Sequence, residues 1–331
     1  MALLSDAIAQ GLSVRAACAV LGLSERRWRE WQARARQGDF DRHPAPAHVR
    51  PYNAVTPQER ELMRAAVASA EWADASCREL SVKILERHGV YISHVSIWLF
   101  ERALGIAGHR GPRRRMGVRR PEAPDTSFVN GPNQLWAWDI TKLRTGVPHR
   151  FWSLYAVLDQ WSRKVVGWHV SERETSAEAQ RAWDGALLAE GCSPERMPRS
   201  LSDRGAQMRS RSTATFFQDL GVAQMFARPR TPNDNPYVES LFATVKTAPA
   251  FPGAFATVEE ATAYFTAFFR WYNEEHLHTR IGMVTPAQKH SGEAVRILAE
   301  REVIKQRTMA QRRLVNGPLG VPNKKLEAAV S

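Results

Sequence analysis

Between residues 134 and 272 the chain alternates strand and helix signals in an order that few folds accommodate. Leu135–Thr141 and Phe151–Leu158 are dense in aromatic and aliphatic residues, and Lys164–Val170 alternates behind a turn at Asp159–Arg163. That pattern predicts three consecutive antiparallel strands. A helix follows over Ser176–Ala189, stopped by Gly191. Next come a short strand at Ser200–Ser202, a helix at Ser212–Leu220 closed by Gly221, and a strand at Val222–Phe226. Asn235 as N-cap and Pro236 at the first helical position then open another helix. Thr257-Val-Glu-Glu260 reads as a capping box starting a last amphipathic helix to Tyr272. The expected fold is therefore α/β, a five-stranded mixed sheet flanked by helices.

Three acids sit at distinctive places in that order. Asp139 lies on the first strand, where it alternates with Leu135 and Ala137 against Trp136, Trp138 and Ile140 on the other face. A charge in so apolar a strand is costly unless compensated, and a divalent ion would compensate it. Asp203 leaves the fourth strand into Arg204-Gly205, a turn that lets a carboxylate project from the sheet edge. Glu239 falls one turn into the helix opened by Asn235, with Lys246 stacked on the same face at i+7. Three converging carboxylates can hold two divalent cations, and such ions drive phosphodiester chemistry. Asp159, Asp184 and Asp234 are more economically structural, and Glu172 and Glu174 look solvated at a strand-to-helix junction. His88 and His94 lack partners at ligand spacing. His276 and His278 fit a core or capping role better than an approach to DNA or metal.

The first part of the chain is helical and basic. Ser13 caps a helix broken at Gly22, and Ser24 caps a second one bearing Arg26, Arg27, Trp28 and Trp31, a helix-turn-helix pattern. Prolines mark residues 38–57 as a linker. Helices over Pro57–Ala70, Ser76–His88 and from Ser93 repeat the motif within 58–109. Residues 110–132 open with six arginines in eleven residues, among them Arg113, Arg114, Arg115, Arg119 and Arg120, and no acid. Glycine and proline keep that stretch from a stable helix, so it reads as a tether able to follow a phosphate backbone. The net charge of +12 favours a polyanionic partner, nucleic acid above all. Lys246, Arg204, Arg228 and Arg230 are the expected phosphate contacts in the second half. Cys18, Cys77 and Cys192 are too far apart and too few for a disulfide framework, and no run of about 18 apolar residues exists. We expect no membrane association and a cytoplasmic, nucleoid-associated protein.

The motifs Trp138-Asp139-Ile-Thr, Val157-Leu-Asp-Gln-Trp-Ser-Arg-Lys-Val-Val-Gly167, Ser202-Asp-Arg-Gly-Ala-Gln207, Asn233-Asp-Asn-Pro-Tyr-Val-Glu-Ser-Leu-Phe-Ala-Thr-Val-Lys246 and Trp271-Tyr-Asn-Glu-Glu-His276 carry a resemblance. With Thr285-Pro-Ala287, and 35 residues between the second and third acid, residues 133–290 resemble the DDE integrase core of IS3-family insertion-sequence transposases. The resemblance implies an RNase H-like catalytic core preceded by all-α helix-turn-helix segments, and a tail at 291–331 of no assigned role. It implies catalysis by Asp139, Asp203 and Glu239 holding two Mg²⁺ ions, with Mn²⁺ as a substitute. It also implies cleavage and transfer of DNA strands at element ends and target DNA. Self-association as a dimer or higher, and an upstream-frame product as partner, follow from the same likeness. Leu201 and Met208 stand where the family often has His and an aromatic, which implies altered fine positioning. Two other functions fit the sequence less well: a DNA-binding regulator with a relic core, and a structure-selective nuclease of the same fold.

Overall fold

A computed structural model of the chain describes residues 2–20, 23–36, 51–106, 125–228 and 235–317. It divides into two compact units. One holds the residues up to Thr56 together with those from Ala310 onward, and the other runs from Pro57 to Met309.

In the first unit, helices α1 (Ala2–Ala9), α2 (Val14–Val20) and α3 (Glu25–Arg36) bury Leu4, Ala17, Cys18 and Trp28 against each other. The expected caps form: the Ser13 hydroxyl accepts from the Ala16 amide and that of Ser24 from the Arg27 amide. In the same unit, Asn316 donates to the carbonyls of Tyr52 and Ala54.

The second unit begins with α4 (Pro57–Val67), α5 (Cys77–His88) and α6 (His94–Ala103). Ser76 and Glu79 form a full capping box on α5, and Gly89 closes it at φ 63°. The sheet follows, with strands β1 (Leu135–Arg144), β2 (Phe151–Asp159), β3 (Val165–Ser171), β4 (Arg199–Ser202) and β5 (Gln224–Phe226) in the order β3-β2-β1-β4-β5. β1, β2 and β3 pair antiparallel, whereas β4 and β5 run parallel to β1. Between and after them lie α7 (Ser176–Ala189), α8 (Arg211–Asp219), α9 (Pro236–Thr247) and α10 (Val258–Glu274). This is the five-stranded mixed sheet flanked by helices that the sequence predicts, in the RNase H-like order.

Side-chain alternation along β1 decides what each face covers. Trp136 and Trp138 point to one face and pack with Trp183 of α7 and Phe217 of α8; the Trp183 and Phe217 rings stand 4.7 Å apart, edge to face. Such ring pairs add about 0.5–1.5 kcal/mol each beyond area burial. Gly167 permits the close approach of α7, because a Cβ there would lie 2.5 Å from that of Ala186. Ala137 and Leu143 point to the opposite face, where α9 supplies Val238, Leu241, Phe242 and Val245 and α10 supplies Phe265, Phe268, Phe269 and Tyr272. Asp139 belongs to this second face by register, beneath α9.

Three sequence expectations change. Asn235 occupies the cap position of α9 but makes no side-chain cap bond; its amide donates instead to the Trp138 carbonyl at 3.1 Å. The helix ending near Tyr272 is not the last. Two more follow, α11 (Pro286–His290) and α12 (Ala294–Asn316), so much of the segment read as a tail is helical. The prolines of that segment lie beyond Asn316, which leaves the helix unbroken. α12 is joined to its surroundings within the second unit: Arg301 reaches Glu86 at 2.6 Å and the Met283 carbonyl at 2.9 Å, and the Thr308 hydroxyl accepts from the Tyr91 amide.

Candidate active site

β1 and β3 both run antiparallel to β2, and β4 parallels β1, so the carboxyl ends of β1, β3 and β4 share one edge of the sheet. Open α/β sheets bind ligands at that edge. Asp203 follows β4 directly, and its Oδ1 accepts the Gly205 amide at 2.8 Å, an Asx turn. Gly205 is needed there, since a Cβ would come within 2.9 Å of the Met208 sulfur and 3.1 Å of Asp203 Oδ1. Asp139 is half-buried on β1, where its Oδ1 accepts the following amide of Ile140. Glu239 is exposed on the first turn of α9, and from the far end of that helix Lys246 Nζ donates to Thr141 Oγ1 at 2.9 Å. Thr141 is two residues beyond Asp139, on the same face of β1.

The electrostatics single out Asp139. Burial pushes its carboxyl up to about 7, and the charges of Asp203, Glu239 and Glu174 push in the same direction against the opposing Ile140 amide. Burial also raises Glu239 above the ordinary carboxylate range. Among the described residues none of the three acids has a cationic partner. Nor do any three acids, histidines or cysteines there lie close enough together to enclose a metal ion. Asp139, Asp203 and Glu239 therefore share an electrostatic field without forming a closed coordination shell. The donor set is all carboxylate oxygen, and the uncompensated negative charge raises Asp139; both suit a hard divalent cation.

The other residues named from sequence are scattered. Arg204 is exposed beside Asp203, and its Nε donates to the Ala227 carbonyl at 3.1 Å. Arg228 is half-buried after β5. Arg26 and Arg27 are exposed on α3 of the other unit, Arg26 bridging to Glu30 at 3.1 Å. Arg230 and the tether arginines 113, 114, 115, 119 and 120 lie outside the described residues. Leu201 and Met208 are core residues: each is almost fully buried. His278 caps the turn at Thr279–Ile281, and the His276 ring stacks on Tyr272 at 5.3 Å. Asp159 is fully buried and accepts from Asn133 and Ser162, as expected of a structural turn residue.

Glu174 was missed. It follows β3 at the carboxyl edge, adds to the field on Asp139 and approaches Lys142 at 3.8 Å. The direction of β3 was the available signal, since it predicts on which edge that loop emerges.

Comparison with known proteins adds descent to this geometry. Residues 129–232 match one family model described as an integrase core domain, and residues 220–286 match a second of the same description. The transposase InsF for insertion sequence IS3A of Escherichia coli is 32% identical over 165 residues, 49% of this chain and 55% of that one. The transposase for IS904 of Lactococcus lactis is 27% identical over 53% of this chain and 68% of its own length. The chain carries an integrase core domain and is similar to the transposases of IS3-type insertion sequences. An uncharacterized 31.7 kDa protein of insertion element IS407 from Burkholderia multivorans is 25% identical over 67% of this chain and 78% of itself. Against InsF the chain spans only about half the relative's length. The HTLV-2 integrase catalytic core in complex with magnesium is 18% identical over 48% of this chain and 97% of its own, with a TM-score of 0.37. As a DNA transposase of the integrase type, the chain is a nucleotidyl-transferring enzyme.

Proposed function

We propose that Asp139, Asp203 and Glu239 are the catalytic carboxylates and that they hold two Mg²⁺ ions, which Mn²⁺ can replace. The carrying observation is the field at Asp139: a half-buried acid on a central strand, raised by burial and by the other two carboxylates, with no ion pair to it among the described residues. When bound, the ions supply activation of water or a 3′-OH and stabilise charge on the leaving oxygen of a phosphodiester. The chain's own residues orient and neutralise. Lys246, fixed to Thr141 beside Asp139, offers its ammonium to a phosphate at the DNA end. Arg204 does the same next to Asp203. Arg228, Arg230 and the tether arginines follow the backbone beyond, and Arg26 and Arg27 contact DNA from the first unit.

The substrates on this reading are double-stranded element ends and target DNA, and bringing two ends together calls for at least a dimer. An upstream-frame product is a further partner, and the cytoplasm with its nucleoid is the setting. Among the described residues no helix is long and apolar enough to cross a membrane. Asp139→Asn should abolish end cleavage and strand transfer in Mg²⁺ while DNA binding persists. EDTA should stop the native enzyme. Undiminished strand transfer by Asp139→Asn would overturn the assignment, and cleavage without any joining would favour a nuclease.

A further inference from the structure

α9 carries Glu239, yet among the described residues no side chain caps its first turn. Asn235 makes no side-chain cap bond, Pro236 has no amide, and the Glu239 amide meets the Asn235 carbonyl at a long 3.4 Å. The amino end of a helix leaves four amides unsatisfied, so an uncapped first turn depends on anchors from elsewhere. One anchor is the Asn235 amide on the Trp138 carbonyl. The other comes from the turn between β2 and β3. There the guanidinium carbon of Arg163 lies 3.3 Å from the ring centroid of Tyr237, the second residue of α9.

Arginine occupies this turn at some cost. Arg163 sits at φ 69°, in the left-handed region where a non-glycine residue loses about 1–2 kcal/mol. Its Nη1 donates to the Gln160 carbonyl, while its Nε is buried with no hydrogen-bond partner. Burial pulls the guanidinium below its ordinary pKa, which marks a desolvated cation. A cation over an aromatic face gains most where water is excluded. Glycine or asparagine would make the same turn without strain. What arginine adds is a planar cation laid on Tyr237, two residues before Glu239.

We propose that Arg163 is a positioning residue for Glu239, holding the first turn of α9 against the sheet through the ring of Tyr237. The inference rests on the reading of Glu239 as a metal-binding acid. It is tested on the full chain with Arg163→Met, Arg163→Lys, Arg163→Asn, Tyr237→Leu and Tyr237→Phe. The first readout is hydrogen exchange of the 236–247 segment without metal. The second is the Mg²⁺ concentration giving half-maximal end cleavage.

In Arg163→Met and Tyr237→Leu, exchange in α9 should accelerate while β1 to β3 stay protected, and half-saturating Mg²⁺ should rise several-fold. Tyr237→Phe keeps the ring but loses the hydroxyl that also attracts Arg163, so it should be intermediate, as should Arg163→Lys. Arg163→Asn relieves the backbone, so a stable protein with loosened α9 and a raised half-saturating Mg²⁺ would separate positioning from folding. Combining Arg163→Met with Tyr237→Leu should add little to either alone. Unchanged α9 exchange in Arg163→Met, exchange accelerated evenly over the whole sheet, or an unaltered Mg²⁺ requirement would each overturn the proposal. The exchange readout is independent of catalysis. Normal cleavage by Glu239→Gln would sink the metal-site reading by a different result.

Discussion

Asn235 spends its side chain on strand β1 instead of on its own helix. It is 5% exposed; its Nδ2 donates to the Trp138 carbonyl, one residue before Asp139, and its Oδ1 is buried without a hydrogen-bond partner. Asn followed by Pro marks the start of α9 correctly in the sequence, because the turn requires those residue types whichever way the amide points. The bond itself was not legible, since the Trp138 carbonyl is 97 residues away in the chain. Asn235→Asp keeps the shape and replaces the donor with an acceptor facing that carbonyl. It should destabilise the second unit by about 1–3 kcal/mol, the usual penalty for an unsatisfied buried polar group. Thermal denaturation measures this, and a melting temperature equal to that of the wild type would show that the amide does not join α9 to β1.

Among elements, the turn from β2 to β3 and the helix ends around it form a buried ionic knot. His290 of α11 lies between Ser162 at 2.9 Å and Glu190 at 2.8 Å, and Glu190 also accepts from Lys164 at 2.6 Å and Asn133 at 3.1 Å. Asp159 was readable as a structural turn residue, but His290 and Glu190 were not, because nothing local distinguishes them. Only the fold brings the end of α7 to α11. Glu190 is held down to about 2: burial opposes ionisation, but hydrogen bonds from His290, Lys164 and Asn133 outweigh it. Its contribution is present above the unfolded value near 4.5 and is lost as the pH falls toward 2. His290 is raised above 6.5, its bonds and charge attraction to Asp159 and Glu190 outweighing the larger burial penalty. Its contribution is complete below 6.5 and is lost as the pH rises through the elevated folded value. Together they favour a stability maximum from this knot between about pH 4.5 and 6.5. In a melting-temperature series His290→Gln should flatten the decline on the alkaline side and shrink the acid limb without abolishing it, because Glu190 keeps Lys164 and Asn133. If the alkaline limb of His290→Gln matched that of the native protein, another group would be responsible for it.

At the scale of the whole molecule, cationic residues named as phosphate contacts occur in both units. The strand and helix order of the core was legible because buried faces impose periods of 2 and 3.6 on the sequence. α12 was not, because its apolar residues are spread around the helix: Val295, Val303 and Leu314 are exposed, and its surface pairs, such as Arg296 with Glu300, are local. DNA contacts are less legible still, since a phosphate needs only a positive charge and imposes no pattern. Salt dependence distinguishes them. Each phosphate neutralised steepens the fall of log affinity with log salt by about 0.9 on duplex DNA. Replacing Lys246 and Arg204 with Ala should therefore reduce the slope by roughly two, and replacing Arg26 and Arg27 should do the same from the first unit. Fluorescence anisotropy on a labelled element end across a salt series would give both slopes. A pair whose removal lowers affinity without changing the slope acts through structure, and a pair that changes neither lies off the DNA path.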